Sequence, residues 1–379
     1  MYKLGVVIGP KNFRNSLEIA QYVNLRHFDI TFFGSNNHKP RIAKDVDYVY
    51  VGMKKILPDF LANFFVRKPY SPVSFIKLEG VDDCLSDVDL VNCVELYSFI
   101  SSQCSDIKKR RWKKLVVVSY ETIPENPLLH FPPYSLNVKK VLERADLFLA
   151  ITNKAAGCLY YLGIPKEKVK VIYPGIDIDA FSHLEQDAHE VFRILFVGRF
   201  DREKGLHTLL QAFLRLYADK RNVELWICGP PRTGKEAEIL ARRLAKKYPV
   251  RMFGYVEHGK LPEVYGQCDV LCLPSFDREK WGMKVWEEQY GFVLVEAMAC
   301  GLPIVATDCG AVPEIMGPYN ITVPQKSVDA LYLALCKLFK NVDYRQHVAK
   351  VNRKRAEEVF DIEKQRAKLD EVLCELFMS

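Results

Sequence analysis

Phe192-Arg193-Ile194-Leu195-Phe196-Val197-Gly198 is the stretch that divides the chain. An apolar run that ends on a glycine reads as a buried strand entering a tight turn. The stretch repeats the shape of Leu4-Gly5-Val6-Val7-Ile8-Gly9 near the start. Downstream of it, Leu206, Leu209, Leu210, Phe213 and Tyr217 recur on one helical face. A strand–turn–helix rhythm therefore begins twice.

Working forward, the runs at 222–229, 249–254, 269–275, 303–307 and 320–323 supply further strands. Working back, so do 27–34, 47–52, 114–120, 145–152 and 168–177. Amphipathic stretches of helical length lie between them. Strands that alternate with helices imply parallel sheets covered on both faces. The expected architecture is α/β: two Rossmann-like, doubly wound domains. Pro174, Gly175 and the polar stretch Ser182–Glu190 read as the linker. The first domain is expected over residues 1–182 and the second over 191–356. A charged helix at 357–379 is expected to return to the first. Ligands of such folds bind beyond the carboxyl ends of the strands, and two facing domains would place the site in the cleft between them.

The chain has 379 residues, enough for two domains at about 150 residues each. Its 54 basic and 47 acidic residues give a formal charge of +7. That is too mild a basicity for nucleic-acid binding alone, and it suits phosphorylated small molecules or an anionic membrane surface. With 49% hydrophobic residues and only 20 glycines and 20 prolines, neither a disordered nor a fibrous chain is expected. The most apolar stretch carries Glu296 and Pro303 and is too short to span a bilayer. The N-terminus runs directly into a strand with no signal peptide, so a cytoplasmic location is expected. The 11 cysteines lie mostly in apolar runs without metal-ligand spacing, which reads as buried reduced thiols. The histidines show no ligand spacing either.

Two segments carry chemistry. In Gly198–Gly205, Arg199 and Lys204 flank a turn before a helix. Two cations beside the free N–H groups of a helix start can clamp a diphosphate; the alternative is a pair of solvated surface charges. In Glu288–Gly301, seven residues separate Glu288 from Glu296. Gly291 is expected to open a helix, leaving Glu288 in the preceding loop and Glu296 inside the helix. Carboxylates accept paired hydrogen bonds from sugar hydroxyls, and a phosphate can rest on the helix start. Glu296 sits in an apolar run, so it needs a partner to be tolerated there.

Gly198-Arg199…Lys204-Gly205, the Glu288/Glu296 pair, the string EAMACGLPIVAT and Gly310-Ala311-Val312-Pro313-Glu314 together resemble the retaining glycosyltransferases of family four. VIYPGIDIDAF (171–181) is similar to the segment that precedes the linker in that family. The resemblance covers roughly residues 145–318. It implies the GT-B fold, two facing Rossmann-like domains with an interdomain cleft, and a nucleotide-sugar donor, a UDP- or GDP-sugar. Carried over, Arg199 and Lys204 neutralise the donor diphosphate and Glu288 holds the donor sugar. Glu296 binds the ribose, and the amides of Phe292 and Val293, beside Gly291, meet the phosphates. Gly198 joins the donor set, with Gly229 and Pro230 near the base. The resemblance implies retention of anomeric configuration. No cofactor is required and no divalent metal is expected to be essential, since no metal motif stands in a convincing context.

The first domain departs from the family. Its first loop has a single glycine, Gly9, and Tyr120-Glu121 stands where a histidine and an acid are expected. Gly9 and Tyr120 are acceptor-side candidates. Glu121 is a catalytic candidate or a satisfied structural carboxylate. The segment Phe276–Glu287, with Trp281 and Trp286, is longer than usual and forms a lid or a surface excursion. Lys108–Lys114 around Trp112, and Lys54–Lys77 with Phe60, Phe64, Phe65, Tyr70 and Phe75, mix basic and aromatic residues. They suit an anionic lipid surface, or else a solvated helix end and a core. A lipid-linked acceptor or a growing glycan, and peripheral membrane contact, follow as expectations. Two rivals stand beside the transferase: a P-loop NTPase, on Gly229–Glu236, and a nucleotide-sugar binder without turnover. Against the first, Glu236 replaces the hydroxyl that would hold magnesium, and two prolines remove N–H donors.

Overall fold

The computed structural model describes residues 1–8, 20–34, 47–56, 75–111, 113–182, 190–230 and 235–378. Gly9 and most of the aromatic segment, from Phe60 to Tyr70, lie outside them, as do Trp112 and Pro231–Gly234. The chain forms two compact units: Met1–Gly175 with Ile362–Ser379, and Ile176–Asp361.

The first unit holds a seven-stranded sheet. Its strands are β1 (Tyr2–Ile8), β2 (Phe28–Gly34), β3 (Asp47–Tyr50), β6 (Leu90–Val94), β7 (Lys114–Ser119), β8 (Leu147–Ala150) and β9 (Val169–Val171), in the order β3-β2-β1-β6-β7-β8-β9. Every neighbouring pair is parallel. β4 (Met53–Lys55) and β5 (Ile76–Leu78) form a separate antiparallel pair. The last helix, Ile362–Met378, belongs to this unit. Leu369, Val372 and Leu373 are buried on it. Its Arg366 donates from Nε to the Ala20 carbonyl at 2.8 Å, and Phe377 stacks on Tyr2 with centroids 3.9 Å apart.

The second unit holds β10 (Phe192–Val197), β11 (Val223–Cys228), β12 (Val250–Gly254), β13 (Val270–Leu273), β16 (Ile304–Thr307) and β17 (Ile321–Val323). All are parallel, in the order β12-β11-β10-β13-β16-β17. β13, and β10 apart from Arg193 near its start, are apolar on both faces because helices cover both sides. The helix Leu206–Lys220 buries Leu206, Leu209, Leu210, Phe213 and Leu216 in that core. The chain builds outward from β10 in one direction and then resumes at β13 on its other side. Strand order thus reverses between β10 and β13, and the loops leaving their carboxyl ends part there.

The first unit ends at Gly175, at the start of the linker reading and ahead of the expected residue 182. Ile176 donates its N–H to Phe360 O at 2.9 Å and pairs with Asp361. Residues from 176 onward are thereby tied to the second unit, ahead of the polar stretch. β6 lies just past the acidic stretch Asp82–Asp89, and Phe276–Glu287 is a surface excursion with regular structure. It is an antiparallel hairpin of β14 (Arg278–Lys280) and β15 (Met283–Trp286).

The basic and aromatic segments resolve in part. Phe75 is buried against Phe99 and Tyr134, with centroids 5.1 and 5.6 Å away. Lys108 pairs with Asp146 at 2.6 Å, and Lys113 donates to Ser86 O at 2.7 Å. Among the described residues, no helix is long and apolar enough to cross a membrane. All the cysteines are free thiols, and only Cys84 and Cys374 are not buried.

Candidate functional site

The loops at the β10/β13 switch point bring the sequence candidates of the second unit together. After β10 the chain turns through Gly198–Asp201 and a short helical turn, Arg202–Lys204, into the helix that starts at Leu206. Gly205 at the junction has φ 71°, and a Cβ there would overlap the Pro274 carbonyl oxygen. This contact locks the loop after β10 against the loop after β13. Lys204 Nζ consequently reaches Glu288 Oε2 at 2.6 Å. The same oxygen accepts a hydrogen bond from Ser275 Oγ at 3.0 Å. The pair is largely out of solvent, with side chains 15% and 8% exposed. The Trp286 ring lies 5.4 Å from Nζ and adds a cation–π contact.

The backbone of Glu288 is clamped as well. Ala311 N–H donates to Glu288 O at 2.8 Å, and Glu288 N–H points to Cys309 Sγ at 3.3 Å. Gly310, at φ 60°, passes so close that a Cβ would strike that carbonyl. Gly291 caps the helix Phe292–Ala299 at φ 81°. The amides of Phe292 and Val293 therefore fall in the first turn, where N–H groups have no partner within the helix. Anions are favoured at such a helix start.

Glu296, one turn further, is 3% exposed. Its two oxygens are held separately: Tyr265 OH donates to Oε2 at 2.8 Å, and His258 Nε2 to Oε1 at 3.2 Å. These are the partners that the apolar run demanded. The hydrogen bond to Glu296 raises the pKa of His258 against the opposing effect of burial, and the Glu296 charge adds to the rise. Burial and then the Glu296 charge hold the Tyr265 phenol well above its ordinary range. Phe181 packs edge-on against both rings, with centroids 5.2 and 6.3 Å away.

The glycine turns of β10 and β11 meet next to this group. Gly229, at φ 140°, leaves no room for a Cβ beside Gly198 O, and Phe200 N–H donates to Pro230 O at 3.1 Å. Arg199 is half exposed and held by Asp201 at 3.1 Å. The inserted hairpin is anchored at its base. Lys284 bridges Asp277 and Glu287 at 2.6 and 3.0 Å, and Asp277 accepts from Cys309 Sγ at 3.2 Å. Its tip, Trp281, is 80% exposed. Of the segment resembling a P-loop, Lys235 opens the helix Lys235–Leu244, and Glu236 is exposed in its first turn.

Glu121 and Tyr120 belong to the first unit. Glu121 Oε1 accepts from the amides of Thr122 and Ile123 at 3.1 and 2.9 Å, and Oε2 from Asn126 Nδ2 at 2.7 Å. These are the contacts of a carboxylate that fixes its own loop. Tyr120 borders a small, mostly apolar cavity that Asn92, Val118 and Ile151 also line. Sequence reading missed His258, Tyr265 and Ser275. The need of Glu296 for a partner was the only signal for the first two, and nothing marked Ser275.

Residues 179–355 match the family described as glycosyl transferases group 1. The chain is 27% identical over 241 residues to the putative colanic acid biosynthesis glycosyltransferase WcaL of Salmonella typhimurium, covering 63% of this chain and 57% of that protein. It is 27% identical over 286 residues to the D-inositol 3-phosphate glycosyltransferase of Kribbella flavida, covering 68% and 65%. The chain thus spans somewhat less than two thirds of the length of these relatives. Among solved structures, Anabaena Alr3699/HepE in complex with UDP superposes with a TM-score of 0.75 at 17% identity, over 99% of this chain and 100% of that one. Sucrose-phosphate synthase of Thermosynechococcus elongatus gives 0.74 at 16% identity, over 100% of both. The two parallel α/β units are those of the GT-B fold. Over residues 179–355, within its second unit, the chain is similar to the glycosyl transferases group 1.

Proposed function

We propose that the chain transfers a sugar from a nucleoside-diphosphate sugar to a hydroxyl acceptor, with retention of configuration. The observation that carries this reading is the Lys204–Glu288 pair at the β10/β13 switch point, eight residues ahead of a doubly anchored Glu296. Cleaving a sugar–phosphate bond leaves a diphosphate with added negative charge. Lys204, Arg199 and the amides of Phe292 and Val293 are fixed before the reaction and stabilise that charge as it grows. Glu288, held by Ser275 and Lys204, keeps lone pairs for the hydroxyls of the donor sugar. Glu296, steadied by Tyr265 and His258, accepts from the ribose hydroxyls. Gly198, Gly229 and Pro230 border the base, and Gly291 opens the helix on which the phosphates rest.

In this reading no step passes through a metal. The UDP held by the Anabaena neighbour supports a UDP-sugar donor, with GDP-sugars as the second choice. The colanic acid biosynthesis named for the Salmonella relative supports a glycan or lipid-linked acceptor. Glu121 serves by shaping the loop that carries Tyr120 on the acceptor side, with Gly9, and the chain works in the cytoplasm or at the membrane face.

A thermal-shift panel of UDP- and GDP-sugars tests the donor, since a ligand stabilises the fold in proportion to its occupancy. The preferred donor is then incubated with candidate acceptors, and the anomer formed is read by NMR. Lys204→Ala and Glu296→Ala should each abolish transfer in a folded protein, and full activity in either would overturn the assignment. ATP hydrolysis would support the NTPase rival, and tight diphosphate binding without transfer or donor hydrolysis the binder.

A further inference from the structure

Three side chains of the first unit that the candidate site does not use come together. His27 lies immediately before β2. Asp370 and Cys374 lie one turn apart on the helix Ile362–Met378, so they share a face. One ligand atom from each, a ring nitrogen, a carboxylate oxygen and a thiol sulfur, lies within 4.8 Å of the other two. Asp370 is buried, Cys374 is half-buried, and the His27 side chain is 63% exposed.

We propose that His27, Asp370 and Cys374 bind a divalent cation of the zinc class, which clamps the last helix to the amino end of β2. The donor set argues for the ion. Nitrogen, sulfur and oxygen together suit Zn²⁺ or Co²⁺, whereas Mg²⁺ and Ca²⁺ take oxygen ligands. Charge argues for it too. A neutral imidazole, a carboxylate and a thiolate carry two negative charges, which one dication cancels, so the partly buried site becomes neutral.

The frame is already fixed. The backbone N–H of His27 donates to Asp370 Oδ1 at 3.2 Å. This turns Oδ2 toward the ring, where it meets Nδ1 at 2.5 Å. Arg366 and Phe377 anchor the same helix to Ala20 and Tyr2. An ion needs about 2.0–2.3 Å to each ligand, so Nδ1 and Oδ2 must separate by roughly 1 Å, and the exposed imidazole has room to swing that far. The fourth position opens to solvent beside the ring and takes water. On binding, the Cys374 thiol gives its proton to solvent as the sulfur–metal bond forms. Asp370 Oδ2 exchanges its contact with Nδ1 for the metal, the proton held between the two atoms leaves to solvent, and a proton on Nε2 keeps the ring neutral.

Cobalt is the probe, because a thiolate ligand gives Co²⁺ a charge-transfer band in the near ultraviolet. Metal-free full-length protein titrated with Co²⁺ should develop the band to saturation at one equivalent and lose it to added Zn²⁺. Zn²⁺ should also raise the first thermal transition. Cys374→Ser should abolish both effects and Cys84→Ser neither; His27→Ala should lower the affinity. Asp370→Asn is unsuited to the test because its buried carboxylate also holds the His27 backbone. Absence of the band at stoichiometric Co²⁺, or a band that survives Cys374→Ser, would overturn the proposal. The readout is independent of sugar transfer, so it stands whatever reaction the second unit performs.

Discussion

At the scale of single residues, two carboxylates show how a buried charge is tolerated. Glu288 is neutralised by Lys204 and bonded by Ser275. Removing one member of a buried pair strands the other, a loss of about 3–5 kcal/mol. Glu288→Ala should therefore lower the urea midpoint sharply. The double variant Lys204→Met/Glu288→Leu removes both charges and should recover most of that stability, yet remain inactive in transfer. A double variant that regained activity would separate the pair from the chemistry. Glu296 depends on a titrating partner. The folded pKa of His258 is raised by its bond to Glu296. Its stabilising contribution is therefore complete below the unfolded value of about 6.5 and lost as pH rises through the folded value. The urea midpoints of wild type and His258→Gln should differ most in mild acid and converge at alkaline pH. A gap that widened with pH would contradict this sign.

At the scale of elements, glycines set how closely the loops of the switch point approach. Gly205 and Gly254 both have positive φ, 71° and 67°, but only at Gly205 would a Cβ meet backbone, the Pro274 carbonyl; nothing lies within 4 Å at Gly254. Gly254→Ala should cost only the left-handed backbone, about 1–2 kcal/mol. Gly205→Ala must also push Pro274 aside, and Ser275 with it. It should cost at least about 2 kcal/mol more and take transfer activity with it, because Ser275 orients Glu288. Chemical denaturation and a transfer assay on both variants give the comparison. The same elements mark what was legible in the sequence. β10, β11 and β13 were readable because both faces are buried and the runs are apolar apart from Arg193 and Glu224 near the starts of β10 and β11. β6 was not, since Asn92 interrupts Leu-Val-Asn-Cys-Val behind an acidic stretch. The hairpin gave no strand signal because Arg278, Glu279 and Lys280 are all exposed. What fixes it is a two-residue turn with φ 54° at Trp281 and 72° at Gly282, the positive pair that tight hairpins require.

At the scale of the whole molecule, legibility follows sequence distance. The Glu288–Glu296 motif and the Arg199–Lys204 turn are compact strings whose sequence context resembles a known family, so they could be named as candidates without coordinates. His258, Tyr265 and Ser275 join them only through the parallel sheet, which gathers loops far apart in the chain. The first unit is an extreme case: the chain leaves it at Gly175 and returns at Ile362, and His27 meets Asp370 across 343 positions. This division yields a prediction. Truncation after Asp361 removes Leu369 and Leu373 from the core of the first unit, and a fully buried leucine contributes about 1.5–3 kcal/mol. It also removes the Arg366 bond to Ala20 and the Tyr2–Phe377 stack. Calorimetry of the truncated chain should therefore show the transition of the first unit lowered by many degrees or lost, with that of the second unit in place. Every proposed donor contact, from Gly198 to Glu296, lies within Ile176–Asp361. The preferred nucleotide sugar should accordingly still raise the remaining transition, although transfer to acceptor fails. If truncation instead erased the donor-induced shift while the second unit stayed folded, the donor site would have to draw on the first unit, and its assignment to the β10/β13 loops alone would fall.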